Sequence, residues 1–273
     1  MLPESVERKV EEVAADHQSG ATHIAVRALR AFDLLAASGA ADEDAIRELR
    51  ERLEAAQPAM AAVRNAARLA AAQLGLGVAQ WPMFRDALLR ELEEGRRHVA
   101  GNFLKVVPAS ATVITLSRSV NVFECCVLAA QRGRVTKVFV LESQPGAEGL
   151  RLAEDLREAN VDSEAIPDES ARSRLGASAV GLAGADTVFA DGAVVNKAGT
   201  KALAEACRAT GRPMYVACET IKIDAQPSTR GWKDPGSHGG LFDLTPPSAI
   251  TGIVTERGVW RPDQVATLIA RAR

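Results

Sequence analysis

The fold is decided by residues 111–141, which read ATVITLSRSVNVFECCVLAAQRGRVTKVFVL. The β-branched run Ala111–Leu116 predicts a buried strand, because such residues suit the pleated backbone. The apolar stretch that follows predicts a helix ending near Arg132, and Val135–Leu141 predicts a second strand. A strand, a helix and a strand in this order form a βαβ unit, so the two strands are expected to be parallel.

The alternation of strand-like and helix-like segments continues to the end of the chain. Further strands are predicted at 161–166, 187–190, 214–218 and 250–255. Further helices are predicted at 148–159 and 197–210. Right-handed crossovers would place helices on both faces of a mainly parallel, Rossmann-like sheet. The fold class is therefore α/β from Pro108 onward.

The first part of the chain has a different pattern. Apolar residues recur at helical spacing, as in Ile24, Ala28, Ala31 and Leu35. Breaks fall at 38–39, 57–58 and 74–77, and no strand pattern is present. The sequence therefore predicts two domains, a helical domain over 1–107 and a ligand-binding domain over 108–273.

Composition and charge exclude several classes of protein. The chain has 273 residues and a formal net charge of -2, which is not typical of a direct nucleic-acid binder. No apolar stretch approaches the roughly 20 residues that span a bilayer. The first residues, MLPESVERKVEEVAADH, carry acids where a signal peptide has an apolar core. We therefore expect a cytoplasmic protein without a membrane partner.

The cysteines predict neither a metal site nor disulfides. Cys125 and Cys126 are adjacent, Cys207 and Cys218 are isolated, and no CxxC occurs. Buried, reduced thiols are the expectation. Nothing in the sequence calls for a cofactor.

Polar residues follow several of the predicted strands, where parallel sheets bind ligands. Such loops come after Leu116, Leu141, Ala190 and Cys218. Their candidate ligand contacts are Arg118, Ser119, Glu142, Asn196, Lys197 and Gly199. Free N–H groups at helix starts, together with serine, lysine and arginine donors, suit a phosphate. The loops therefore predict a phosphorylated small ligand.

Asp186 precedes the predicted strand 187–190 and follows the apolar stretch 179–183. A carboxylate there could be a general base or hold a sugar hydroxyl. A cap or turn role is an equal alternative from the residues alone.

Five stretches carry a family resemblance. They are VITLSRSV (113–120), LESQPGAEG (141–149), GADTVFADGAVVNKAGT (184–200), YVACETIKID (215–224) and FDLTPPSAITGIVTERG (242–258). In this order they resemble the translation initiation factor 2B alpha/beta/delta family. That family includes isomerases of methylthioribose 1-phosphate and ribose 1,5-bisphosphate. The last stretch is most similar to the ribose-1,5-bisphosphate isomerases, and ESQP to the alpha subunit.

The resemblance implies a helical domain, a Rossmann-like domain, a ligand pocket between them and a homo-oligomer, a dimer or larger. It also implies a substrate-binding Gly20-Ala21 pair and full matches at Asn196, Lys197 and Gly199. The isomerases are similar in using a paired cysteine and aspartate. Carried over without gaps, the aspartate is Asp186 and the cysteine position is Ser117.

This sequence departs from the isomerase pattern at three positions. Ser117 replaces the thiol, and a serine hydroxyl needs a neighbouring base to react. Ser19 and Gln57 stand where the isomerases have arginines, and neither grips phosphate as arginine does. Arg118 or Lys197 could compensate, and Cys125, Cys126 or Cys218 could supply a displaced thiol.

Two functions remain open. The first is an initiation-factor-2B-like protein that binds a sugar phosphate or nucleotide without Cys-dependent isomerase chemistry. The second is an aldose–ketose isomerase of a phosphorylated pentose that uses Asp186, with Ser117, a water or a displaced cysteine as partner. The stretch 224–238 reads as a long loop in which Trp232 could anchor a subunit contact.

Overall fold

Two groups of elements follow from the two sequence patterns. A computed structural model describes residues 2–144, 146–225 and 240–272, so most of the loop with Trp232 lies outside the described residues. Contacts divide the chain within one long helix, between Glu94 and Gly95. We call residues up to 94 the helical unit and residues from 95 the sheet unit. The sequence pattern itself changes later, at Pro108.

Helices make up the regular structure that is described in the helical unit. They are α1 (Glu4–Ala15), α2 (Ala21–Ala37), α3 (Glu43–Ala56), α4 (Ala61–Leu74) and the first part of α5 (Trp81–Phe103), with a 3-10 turn at Val78–Gln80. Ile24, Ala28, Ala31 and Leu35 are all fully buried, as their spacing predicts. Asp42 caps α3 by accepting a hydrogen bond from the Ala45 N–H at 2.8 Å.

The sheet unit contains two sheets and the remaining helices. Its strands are β1 (Ala111–Leu116), β2 (Val135–Leu141), β3 (Ser163–Ile166), β4 (Ala179–Ala183), β5 (Thr187–Phe189), β6 (Val194–Lys197), β7 (Met214–Ala217), β8 (Ile223–Asp224), β9 (Phe242–Thr245), β10 (Gly252–Thr255) and β11 (Gly258–Trp260). Its helices are α6 (Val120–Gln131), α7 (Glu148–Glu158), α8 (Ala171–Arg174), α9 (Thr200–Thr210) and α10 (Val265–Ala272).

The main sheet has seven strands in the order β11-β10-β7-β4-β1-β2-β3. All its neighbours are parallel except β11, which is antiparallel to β10. Alternate residues of β1 face opposite sides of the sheet. Val113 packs with residues of α6 and α7, and Ile114 packs with residues of α8 and α9. Helices therefore cover both faces, and the predicted α/β architecture is confirmed.

A smaller sheet corrects part of the sequence prediction. Its order is β8-β5-β6-β9, and β5 and β6 form an antiparallel hairpin. Residues 187–190 were expected in the main parallel sheet, but β5 lies in this second sheet. Residues 194–197 were expected to lead into a helix, but they form β6, and α9 begins only at Thr200. The apolar stretch 179–183 is the main-sheet strand β4.

Within the described ranges, no helix is long and apolar enough to cross a membrane.

Candidate ligand site at the carboxyl edge of the sheet

The strand order places a topological switch point between β1 and β4. The chain goes from β1 to β2 and β3 on one side, and then crosses to β4 on the other side of β1. Open α/β sheets bind ligands outside the carboxyl ends of the strands at such a point. The loops that meet there are 117–119 after β1 and 184–186 after β4.

Ser117 begins the first of these loops in an unusual backbone conformation. Its φ is 58°, in the left-handed region that non-glycine residues seldom adopt. Its N–H donates to Ser143 Oγ at 2.6 Å, and the Ser143 N–H donates to Asp168 Oδ1 at 2.8 Å. These bonds join the loops after β1, β2 and β3. Ser117 therefore lies in a hydrogen-bonded framework rather than in an isolated turn.

Ser119, Gly184 and Asn196 come into close contact at the switch point. Ser119 is the N-cap of α6, although its Oγ accepts the Val122 N–H at a long 3.5 Å. A Cβ placed on Gly184 would lie 2.7 Å from Ser119 Oγ and 3.8 Å from Asn196 Oδ1. The absence of a side chain at Gly184 therefore leaves room for both polar side chains.

Asn196 and Lys197 are held at the end of β6. Asn196 Nδ2 donates to Thr200 Oγ1 at 2.9 Å. Lys197 is buried, and its Nζ donates to Glu148 Oε1 at 2.7 Å. Both side chains are thus held by contacts within the chain.

Asp186 is partly buried, two residues beyond Gly184. Burial raises the pKa of its carboxyl group to about 6, and the ammonium groups of Lys222 and Lys197 oppose this rise. A carboxyl group with such a pKa can both accept and release a proton near neutrality. We call Ser119, Asp186, Asn196 and Lys197 the edge cluster. Ser119 and Asn196 both lie beside Gly184, and the Lys197 ammonium group acts on the Asp186 carboxyl group.

The start of α9 is occupied by a carboxylate of this chain. Gly199, the N-cap with φ 102°, donates its N–H to Asp243 Oδ2 at 2.8 Å. The Lys201 N–H also donates to Asp243, at 3.1 and 3.2 Å. Burial raises the pKa of Asp243 to about 6 despite these bonds. The Gly199 N–H, predicted as a phosphate contact, thus already has an anionic partner.

Three polar residues near the cluster were given no role from the sequence. Glu219 is buried, accepts a hydrogen bond from Asn121 Nδ2 at 2.7 Å and lies 3.6 Å from Lys222 Nζ. Its burial alone would raise its pKa, but Lys222 and Asn121 outweigh burial and lower it. Glu219 and Lys222 belong to YVACETIKID, one of the stretches that carry the family resemblance, and this membership could have pointed to them.

Arg118 and Glu142 make contacts outside the edge cluster. Arg118 Nε donates to Asp155 Oδ2 on α7 at 2.8 Å, and its side chain is 55% exposed. The backbone of Glu142 is hydrogen-bonded to two other segments. Its N–H donates to Ile166 O, and its carbonyl oxygen accepts the Gly149 N–H. Arg118 is therefore engaged by α7 in this conformation.

Gly20 and Ala21 belong to the helical unit, where Gly20 is the N-cap of α2 and Ala21 is buried. Gln57 is buried in the same unit, and its Nε2 donates to Val13 O at 2.8 Å and to Asp16 O at 3.0 Å. Gln57 thus satisfies carbonyl groups at the end of α1. Its role is structural at a position where the resemblance implies an arginine.

All four cysteines are buried and free. Burial raises the pKa of Cys126, Cys207 and Cys218 to about 12, and the pKa of Cys125 is also raised well above its usual value. A thiol reacts as its thiolate. These residues are therefore poor replacements for a catalytic thiol at Ser117. Among the residues that the structure describes, no group of three or more His, Cys, Asp or Glu is arranged to hold a metal ion.

Comparison with known proteins places these features in a family. The model of the initiation factor 2 subunit family matches residues 17–232. A Pyrococcus abyssi protein named translation initiation factor eIF-2B subunit 2-like is 36% identical, and the alignment covers 96% of this chain and 98% of that one. Ribose 1,5-bisphosphate isomerase of Haloterrigena turkmenica is 30% identical, with 95% of this chain and 91% of the relative covered.

A solved structure agrees with the sequence matches. The crystal structure of the Pyrococcus horikoshii translation initiation factor eIF-2B superposes with a TM-score of 0.86 at 31% identity. The match covers 96% of this chain and 99% of that chain.

Proposed function

This chain belongs to the initiation factor 2 subunit family, and we propose that it binds a phosphorylated sugar or nucleotide at the edge cluster without Cys-dependent isomerase chemistry. Relatives include both an initiation-factor-like protein and a sugar-phosphate isomerase, so the family alone does not decide between binding and turnover. The decision rests on this chain's own residues.

The observation that carries the proposal is the state of the thiols. Ser117 stands at the position where the resemblance implies the isomerase cysteine. The four cysteines of the chain are buried with raised pKa values, so none supplies a thiolate near neutral pH. A chain that keeps the polar cluster but lacks the reactive thiol is suited to binding.

The edge cluster provides the means of binding an anion and hydroxyl groups. Lys197 supplies a positive charge, Asn196 and Ser119 supply hydrogen-bonding groups, and the first turn of α6 supplies backbone N–H groups. Asp186, with the ammonium groups of Lys197 and Lys222 acting on it, can accept a hydrogen bond from a sugar hydroxyl. These groups together suit a phosphosugar better than an uncharged metabolite.

An aldose–ketose isomerase is the second candidate, and Asp186 favours it. Its pKa of about 6 suits a group that moves a proton between two carbons of a ring-opened sugar. Such a reaction would need Ser117 or a water as the second proton carrier.

One assay separates the two candidates. The purified chain is incubated with pentose phosphates, hexose phosphates and nucleotides, and both the melting temperature and ketose formation are followed. We expect a ligand-induced rise in Tm of a few degrees without ketose. Ketose formation that is lost in Asp186→Asn would establish the isomerase instead. Ser117→Cys tests whether the rest of the site supports turnover once a thiol is restored.

We also expect a homo-oligomer. Light scattering coupled to size exclusion measures the mass directly, and a mass equal to one chain would contradict this expectation.

A further inference from the structure

The only anion-binding ammonium of the edge cluster is already neutralised by the chain itself. Lys197 Nζ lies 2.7 Å from Glu148 Oε1. The Lys197 side chain is 11% exposed and that of Glu148 is 29% exposed. A ligand anion that binds Lys197 must therefore compete with this carboxylate.

Glu148 is held over Lys197 by the way its helix begins. It is the first residue of α7, a position where a negative charge is favourable. A Cβ on Gly146 would lie 2.7 Å from Glu148 Oε1, so the carboxylate packs directly on the Gly146 backbone. The carboxylate is thus seated by local structure rather than resting loosely on the surface.

One of the two carboxylate oxygens of Glu148 is poorly hydrogen-bonded in this position. Oε2 is buried, and no hydrogen-bond partner for it lies among the described residues. A buried acceptor without a partner is energetically costly. Because Glu148 is more exposed than Lys197, the carboxylate can leave for water while the lysine stays in place.

We propose that Glu148 determines ligand specificity by acting as an internal anion that a phosphomonoester displaces and a monoanion does not. A phosphate monoester carries about two negative charges near neutral pH and three acceptor oxygens, whereas a carboxylate carries one charge and two oxygens. Exchange of Glu148 for another monoanion gains little, and exchange for a phosphoryl group gains charge and hydrogen bonds. This inference rests on the proposed function, and it narrows the ligand to a phosphomonoester.

The test is a substitution that should improve binding. Glu148→Gln removes the competing charge and keeps the size of the side chain. We expect ribose 5-phosphate to bind this variant about tenfold tighter by isothermal titration, and acetate to become a measurable competitor. The ligand-free variant should melt at a lower temperature than the wild type, because the ion pair is lost.

Glu154→Gln is the matched control, since Glu154 is exposed on the same helix and carries the same charge. It should bind ribose 5-phosphate within twofold of the wild type. A purely structural Glu148 would lower the melting temperature and leave affinity unchanged or weaker, which would overturn the inference. If the wild type binds while Glu148→Gln binds no tighter, this inference alone fails. If neither protein binds any phosphate ester, the proposed function fails with it.

Discussion

Helices α6 and α9 both begin beside the carboxyl end of β1, but their first N–H groups have different partners. At α9, the Asp243 carboxylate accepts hydrogen bonds from Gly199 and Lys201 at 2.8 to 3.2 Å. At α6, Ser119 Oγ accepts the Val122 N–H at a long 3.5 Å. One helix start is closed by a charged group of the chain, and the other is capped weakly. Under the proposed function, a phosphate would meet less competition at α6 than at α9.

A helix N-terminus can bind a ligand anion only where its first N–H groups are not already paired with a charged group of the chain. Asp243 reaches α9 from β9, which pairs with β6 in the small sheet. Ser119 is local to its own helix, and the glycine at 184 leaves room for the Ser119 side chain.

The largest effect is expected when a side chain is added at Gly184, beside the start of α6. In Gly184→Ala the new Cβ would lie 2.7 Å from Ser119 Oγ and 2.9 Å from Ser119 Cβ. We expect the free energy of unfolding to fall by about 3 kcal/mol, as for other overpacked sites, and the ligand-induced Tm rise to disappear. Chemical denaturation measures the first and thermal shift the second. Gly176→Ala is the control, because no heavy atom of the described residues lies within 4 Å of its added Cβ.

Asp186→Asn should stabilise the protein near neutral pH by up to about 3 kcal/mol. The pKa of Asp186 is raised from 3.8 to about 6, so the folded chain binds more protons than the unfolded chain between these values. Its contribution to stability is present below pH 4 and is lost as the pH rises through 6. The gain in the Asn variant should therefore vanish at pH 4. A gain that does not depend on pH would contradict the assigned titration.

At α9, the two variants of Asp243 should differ from each other. Asp243→Asn keeps one acceptor for the N–H groups of Gly199 and Lys201, whereas Asp243→Ala leaves both unpaired. We expect the Ala variant to be about 1 to 2 kcal/mol less stable than the Asn variant by urea denaturation. Equal stabilities would mean that Asp243 does not close this helix start.

The smallest effect is expected at the weak cap of α6. Ser119→Ala should lower the free energy of unfolding by about 0.5 kcal/mol, near the lower limit for N-caps, because the hydrogen bond is long. The loss in the free energy of ligand binding should be larger than the loss in the free energy of unfolding. A loss as large as that in Asp243→Ala would remove the contrast between the two helices.

The sequence predicted the main sheet well where strands are long and apolar. The strands β1 and β2 follow from local patterns, and the structure agrees with both. The hairpin of β5 and β6 was missed, although Asp191-Gly192 is a hairpin-turn signal and Gly192 has φ 83°. That signal was interpreted as a loop after a parallel strand.

The sequence predicted the candidate site only in part. Ser119 and Asn196 were singled out because their residue types suit binding, and both side chains lie beside Gly184, although Asn196 belongs to β6 rather than to a loop. The closure of α9 by Asp243 depends on a contact across more than forty residues of chain, which no local pattern reveals. The ion pair of Glu148 with Lys197 is not predictable from the sequence either. Helix and strand periodicity give neither the partner nor the distance.

A crystal structure of the chain with ribose 5-phosphate tests the central claim most directly. We predict that the phosphoryl group binds at the α6 start, within about 3 Å of Lys197 Nζ, with Glu148 displaced and Asp243 still bound to Gly199 and Lys201. A phosphoryl group at the α9 start in place of the Asp243 carboxylate would contradict the account, as would one bound away from both helices.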